Sequence, residues 1–316
     1  RAERGRAGEA VLGAWAVTGG RWRAKNGAAV WRVRWNRPVR RGRSGLTGGM
    51  TTTVVDLGQA RLTRVLYLDA AIDPEPTGLT PDEVRSVPRA EPTWAADGQV
   101  RAASCAWVIE AGGRRTVVDP SGNIDEILHD PASTAVHQDA YAAAFAAADV
   151  PVDTIDAVLL SHIESIGLSA VRSGDGWRPF FPNARVLLSD AALAHDDAEP
   201  AAGEVGAAFA SLRAAGMVDA FADGDEVAPG VRAEWTGMHN PGHCAFHVGA
   251  DATFVGHLAV TPLHLATGPC PPQHADPDDA WRWLEAAKVS GRILIGPLWP
   301  SPGALRWDPA GHPVAV

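Results

Sequence analysis

Hydrophobic and polar positions along the chain fall into short runs with two different periods. TTTVVDL (51–57) and RLTRVLYLDA (61–70) are rich in Val, Leu and Thr and predict strands. AASCAWVIEA (102–111) and RRTVVDP (114–120) flank Gly112-Gly113 and predict a hairpin. The alanine-rich HQDAYAAAFAAADV (137–150) predicts a helix. IDAVLLSH (155–162) predicts a short buried strand ending in polar residues, and ARVLLSD (184–190) another. Helices are expected near 190–196 and 203–215, and antiparallel strands over 224–237 and 243–260. DPDDAWRWLEAAKV (276–289) predicts a helix with acidic residues in its first turn, where the helix dipole favours them. RILIGP (292–297) predicts a buried strand, and the Pro-rich stretch 267–277 a loop. There is no fixed-period repeat, which disfavours a solenoid or propeller. Strands first, then mixed elements, place sheets at the centre with helices outside.

Composition narrows the class. The chain has 316 residues, 46% hydrophobic and 21% charged, enough for a sizeable core and unlike a disordered chain or a coiled-coil rod. No run of 18 apolar residues occurs, so no membrane span is expected. Cys105, Cys244 and Cys270 lie far apart with no C-x-x-C pair, which fits a reducing cytoplasm better than a disulfide scaffold or a cysteine zinc finger. Charge is uneven. Residues 1–49 hold eleven Arg and one Lys against two Glu, near +10, while 50–316 carries −19. A basic arm on an acidic body is one signature of nucleic-acid binding. Here the first Met is Met50, and nearly every basic residue is Arg, as a GC-rich coding region would give. Residues 1–49 therefore read as a basic extension, poorly ordered or translated from upstream, and 50–316 as the domain. WRVRW (31–35), alternating like a strand, argues the other way. No nucleic-acid partner is expected, and the oligomeric state is open.

Histidine is over-used relative to lysine, at eleven against two. His129, His137, His195, His274 and His312 are scattered among polar residues and read as surface or capping groups. His162 closes a predicted strand, and His239, His243, His247, His257 and His264 fall within a short span. Several imidazoles at strand ends suggest a metal site, because strand ends converge and imidazole is the commonest ligand. No G-x-S-x-G, G-x-G-x-x-G or P-loop pattern competes with this chemistry. Trp177, Phe180, Phe181 and Trp299 would line an aromatic pocket or merely pack.

The motifs in order resemble the metallo-β-lactamase-fold hydrolases, especially the N-acyl homoserine lactonase and methyl parathion hydrolase-like branch. AWVIEAGGRRTVVDPSGN (106–123) resembles the strand ending in V-D-T-G, and VPVDTIDAVLLSHIESIGLSA (150–170) the stretch leading into T-H-x-H-x-D-H-x-G. FPNARVLLSD (181–190), DGDEVAPGVRAEWTGMHNPGH (223–243), TFVGHLAV (253–260) and GPLWPSPG (296–303) follow at the matching places. The resemblance implies an αββα sandwich: two mixed β-sheets between helices.

Carried over position by position, the resemblance implies a rewritten centre. The first-site ligands fall on His162, Glu164 and His239, and the bridging Asp on His257. The second-site ligands fall on Ile166, Gly167 and Leu298, which offer no side-chain donor. One divalent ion is expected, held by His162, Glu164, His239 and His257, with Zn²⁺ favoured and Fe²⁺ or Mn²⁺ compatible. On an extended H-x-E segment His162 and Glu164 would face the same side. His162 and Glu164 are the expected catalytic residues, Glu164 as anionic ligand or general base, and Asp119 the group supporting a ligand histidine. The expected activity is hydrolysis of a small ester or lactone. The alternatives are a non-catalytic, metal-free relative that binds a small ligand, and a mononuclear iron oxygenase.

Overall fold

A computed structural model describes residues 52–87, 90, 92–120, 131–174, 176–268, 274–308 and 313–316, with backbone alone at 16–18, 21–23, 76 and 131–136. The chain divides into two compact units, Arg1–Trp31 and Arg32–Val316. In the first, Ala16–Thr18 and Arg21–Arg23 pair as antiparallel strands. The WRVRW stretch lies outside the described residues.

In the second unit, the first sheet is built from β1 (Val54–Asp56), β2 (Ala60–Ile72), β3 (Ala95–Ala96), β4 (Gln99–Ala111), β5 (Arg114–Val118) and β6 (Ala157–Leu159). After a separate hairpin of β7 (Ala170–Ser173) and β8 (Gly176–Pro179), the sheet is completed by β9 (Arg185–Ser189) and β10 (Val218–Phe221). Its order is β10-β9-β6-β5-β4-β2-β1, with β3 on β4. Strands β1, β2, β4 and β5 run antiparallel to their neighbours in that series, whereas β5, β6, β9 and β10 are parallel neighbours. The β4–β5 hairpin turns at Gly112 (φ 56°) and Gly113 (φ 75°), as a two-residue turn matching strand twist requires. The second sheet runs β11 (Glu226–Ala228), β12 (Val231–Trp235), β13 (Cys244–Val248), β14 (Ala252–Phe254), β15 (Ile293–Ile295), β16 (Ala304–Trp307) and β17 (Pro313–Ala315), in that order. Only the β14–β15 pair is parallel, and so it needs a crossover connection.

Strand alternation sorts the core into three layers. On β4, Cys105, Trp107 and Ile109 point between the sheets, where they meet Val231, Phe246, Phe254 and Ile295 of the second sheet. Trp107 and Phe254 stack edge to face with centroids 6.2 Å apart. The alternate residues Ala106 and Val108 face outward onto Tyr141 and Phe145 of helix α2 (Pro131–Ala147). On the outer face of the second sheet, Leu294, Leu305 and Trp307 pack on Leu263 of α5 (Pro262–Thr267) and on Ala280 and Leu284 of α6 (Pro277–Val289). The remaining helices are α1 (Pro81–Ser86), α3 (Asp190–Ala198) and α4 (Gly203–Ala214). The result is the expected αββα sandwich. No helix among the described residues is long and apolar enough to cross a membrane.

Of the two readings of the aromatic residues, packing is the one seen. Phe180 and Phe181 are buried in the layer beneath α2, and Trp299 is fully buried, donating its Nε1–H to the Ala259 carbonyl at 2.6 Å. Trp177 lies under the Arg172 guanidinium at 4.9 Å.

Candidate metal centre

Three loops leave the strands at one end of the sandwich, each delivering a histidine. His162 follows β6 in extended conformation (φ −166°, ψ 173°). His239 lies in the loop from β12 to β13, which closes through Thr236 and Gly237 N–H groups on the His243 carbonyl. His257 lies in a short 3-10 turn just after β14. The Cys244 N–H donates to the Ser161 carbonyl at 2.8 Å, fastening the β6 end to the second sheet. One ligand nitrogen from each of His162, His239 and His257 lies within 4.8 Å of the others, and the ring centroids are 4.4–5.4 Å apart.

Two further rings crowd this group, His243 and His274. The hydrogen bonds of His243 settle its role. Its Nε2 accepts the His257 backbone N–H at 3.1 Å, so that nitrogen is unprotonated. Thr236 donates its hydroxyl proton to the His243 carbonyl, so His243 Nδ1–H donates to Thr236 Oγ1 at 2.7 Å. With its lone pair used, His243 braces the turn that carries His257. His274 touches Leu258 O through Nε2 at 3.1 Å and His239 Nδ1 through Nδ1 at 3.3 Å. Nothing in the sequence spacing marks His274, which lies within the Pro-rich stretch 267–277.

His162 has its Nδ1 within 3.0 Å of Ser161 Oγ and 2.9 Å of Ser165 Oγ. Both hydroxyls also bond Asp119, whose Oδ1 accepts the Ser161 N–H at 2.7 Å. Asp119 therefore reaches His162 through two serines. It sits at φ 38°, a strained conformation for a non-glycine residue. Burial pushes its carboxyl up to about 6, while the Ser161 and Ser165 donors pull it down. A carboxylate accepting from the hydroxyls orients them to receive Nδ1–H of His162, leaving Nε2 bare. That Nε2 is buried and without a hydrogen-bond partner among the described residues.

Burial holds all of these imidazoles neutral. It drives His162, His239 and His243 well below the ordinary histidine value, with the neighbouring histidines adding to the effect. His257 and His274 are each lowered to about 4, again chiefly by burial. Neutral imidazoles with an unpartnered buried nitrogen are what a cation requires. The donor set thus fits one divalent ion.

Glu164 stands apart from the expected four-ligand set. Residues Ile163–Ser169 wind into 3-10 turns rather than continuing extended, so Glu164 is not on the same side of a strand as His162. Its Oε2 nevertheless lies 3.7 Å from His162 Nε2 and accepts from Asn240 Nδ2 at 3.0 Å. Surrounding protein mass pushes its carboxyl upward and the Asn240 bond pulls it back. With 49% of the side chain open to solvent, water screens that upward push. Glu164 is a rim carboxylate beside the three histidines. At the positions where the resemblance places second-site ligands, Ile166 and Gly167 are buried, and the Leu298 carbonyl accepts the Ala103 N–H at 2.9 Å. Beside it the buried Arg64 donates to the Trp299 carbonyl.

No protein-family model matches the sequence, and no curated protein matches it. Solved structures do. The hydrolase AbOPH of the beta-lactamase superfamily superposes with a TM-score of 0.63 at 16% identity, covering 84% of this chain and 97% of that one. A probable metal-dependent hydrolase from Staphylococcus aureus gives 0.62 at 15% identity, over 82% and 96% of the two chains. AidC, a dizinc quorum-quenching lactonase, gives 0.61 at 14% identity, over 84% and 97%. The fold is that of the metallo-β-lactamase superfamily. In this example of the metallo-β-lactamase fold, the three-histidine cluster sits where β6, β12 and β14 end. A separate surface cleft, lined by Arg114, Asp156 and Glu226, lies near the starts of β5 and β6, away from these histidines.

Proposed function

We propose that the protein is a hydrolase of a small ester or lactone that works through a single metal ion held by His162, His239 and His257, with Glu164 at the rim. The observation that carries this reading is the convergence of three neutral histidines, one with an unpartnered buried Nε2. A bound divalent ion would supply Lewis acidity and lower the pKa of a water. Zn²⁺ suits three imidazoles best, with Fe²⁺ or Mn²⁺ compatible. Glu164 Oε2 is the group placed to take a proton or to swing in as a fourth ligand, and Asn240 orients it. Asp119, Ser161 and Ser165 hold the His162 ring. Cys105 and Cys244, both buried thiols, support a reducing compartment.

The test is elemental analysis of the purified protein, followed by hydrolysis of a panel of esters and lactones before and after chelation. One metal per chain, and turnover that chelation abolishes and Zn²⁺ restores, is the expected result. Burial of the cluster, with His162 at 0% and His257 at 9% exposure, favours a second reading: a non-catalytic relative with a closed site. Absence of metal after reconstitution with Zn²⁺, Fe²⁺ and Mn²⁺ would select that reading. Iron with oxygen-dependent turnover would select an oxygenase.

A further inference from the structure

We infer that His274 is a positioning residue for this centre, setting which nitrogen of His239 is presented to a metal. The inference rests on reading His239 as a ligand. The Leu258 carbonyl can only accept, so His274 Nε2, 3.1 Å away, carries a proton and donates it. In a neutral ring His274 Nδ1 is then a lone pair. His239 Nδ1 lies 3.3 Å from it and bonds only as N–H. His239 is thereby held as the Nδ1–H tautomer with Nε2 bare, the reverse of what a solvated imidazole prefers.

The backbone around His274 reinforces the relay. The Ala275 N–H donates to the His239 carbonyl at 3.1 Å and the Asp276 N–H to the Met238 carbonyl at 3.0 Å. His274 is thus anchored to the His239 loop by its neighbours and to the residue after His257 by its side chain. One residue ties together two loops that each deliver a histidine. A histidine takes the place that a carboxylate or carbonyl commonly fills behind a ligand ring.

The experiment compares wild type, His274→Ala and His274→Asn. Long-range ¹H–¹⁵N spectra of the metal-free proteins read the His239 tautomer, and Zn²⁺ titration against a chromophoric chelator reads affinity. Wild type should show His239 as Nδ1–H. His274→Ala should lose that preference and bind Zn²⁺ about 10–100-fold more weakly. His274→Asn, whose side-chain oxygen replaces Nδ1 as acceptor, should restore the tautomer and most of the affinity. If His274→Ala fails to fold, His274→Leu keeps the bulk without either nitrogen. His239 remaining Nδ1–H without His274, or Zn²⁺ affinity unchanged in the folded variant, would overturn the inference. A tautomer that follows His274 in a wild type that binds no zinc upholds the relay and instead removes the metal reading.

Discussion

Among the crowded imidazoles, a ligand differs from a brace by which nitrogen is already bonded. His243 has spent its lone pair on the His257 N–H. His243→Ala should leave that buried donor unpaired and cost about 1–3 kcal/mol, read by urea unfolding, while metal stoichiometry stays at the wild-type value. His257→Ala should do the reverse, losing metal on a scale similar to His162→Ala or His239→Ala with a smaller effect on the unfolding midpoint. Gly256 lies between these groups at φ 54°, where an added Cβ would sit 2.5 Å from His243 Nε2 and 3.0 Å from Ser161 Cβ. Gly256→Ala is expected to destabilise by at least about 1–3 kcal/mol through backbone strain alone, seen as a lower melting temperature. The convergence of His162, His239 and His257 was legible because motif order fixes them at strand ends. His274 was not, because what gives it a role is a hydrogen bond to Leu258, which no periodicity records.

Elements were most legible where the pattern was long. The β4–β5 hairpin, β9 and α6 lie where alternation or helical spacing puts them. The short strands β16 and β17 and the helices α1 and α5 were not foreseen, because three to six residues carry too little periodicity and are held by neighbours. The 3-10 turns after His162 were read as extended, since a Gly at φ 46° and a Pro120 carbonyl that accepts the Leu168 N–H shape that segment. Contacts between elements give a pH test. Glu234 of β12 accepts from His247 of β13 at 2.6 Å and from Trp283 of α6 at 2.9 Å. The His247 bond is the main cause that holds its carboxyl below the ordinary 4.5. A folded value below the unfolded one gives stability that is present above the unfolded value and lost as pH falls through the folded one. Glu234→Gln should therefore flatten the loss of stability on acidification below about pH 4.5, measured by urea unfolding across that range.

For the molecule as a whole, the proposed single-metal reading follows from Ile166, Gly167 and Leu298, which offer no side-chain donor. Elemental analysis should find at most one transition metal per chain, and a reproducible value near two would contradict the site as drawn. If the ion binds only the folded chain, Zn²⁺ at a hundred times its dissociation constant should add about 2.7 kcal/mol of stability. A chain starting at Met50 is expected to keep its melting temperature and solubility, and a clear loss of either would assign residues 1–49 to the fold.

The parallel pairing of β14 with β15 has a kinetic consequence. The connection between these strands holds both His257 and His274, so one excursion of the chain delivers a ligand and the residue that aims another. His162 arrives from the opposite sheet. Parallel pairing closes a long loop before any contact rewards it, and such steps come late in folding. The three histidines are therefore expected to assemble late, once both sheets have formed and docked. In a refolding experiment, cobalt absorbance should rise in the slowest phase, after most helical signal has returned, making the centre a reporter of the last event in folding.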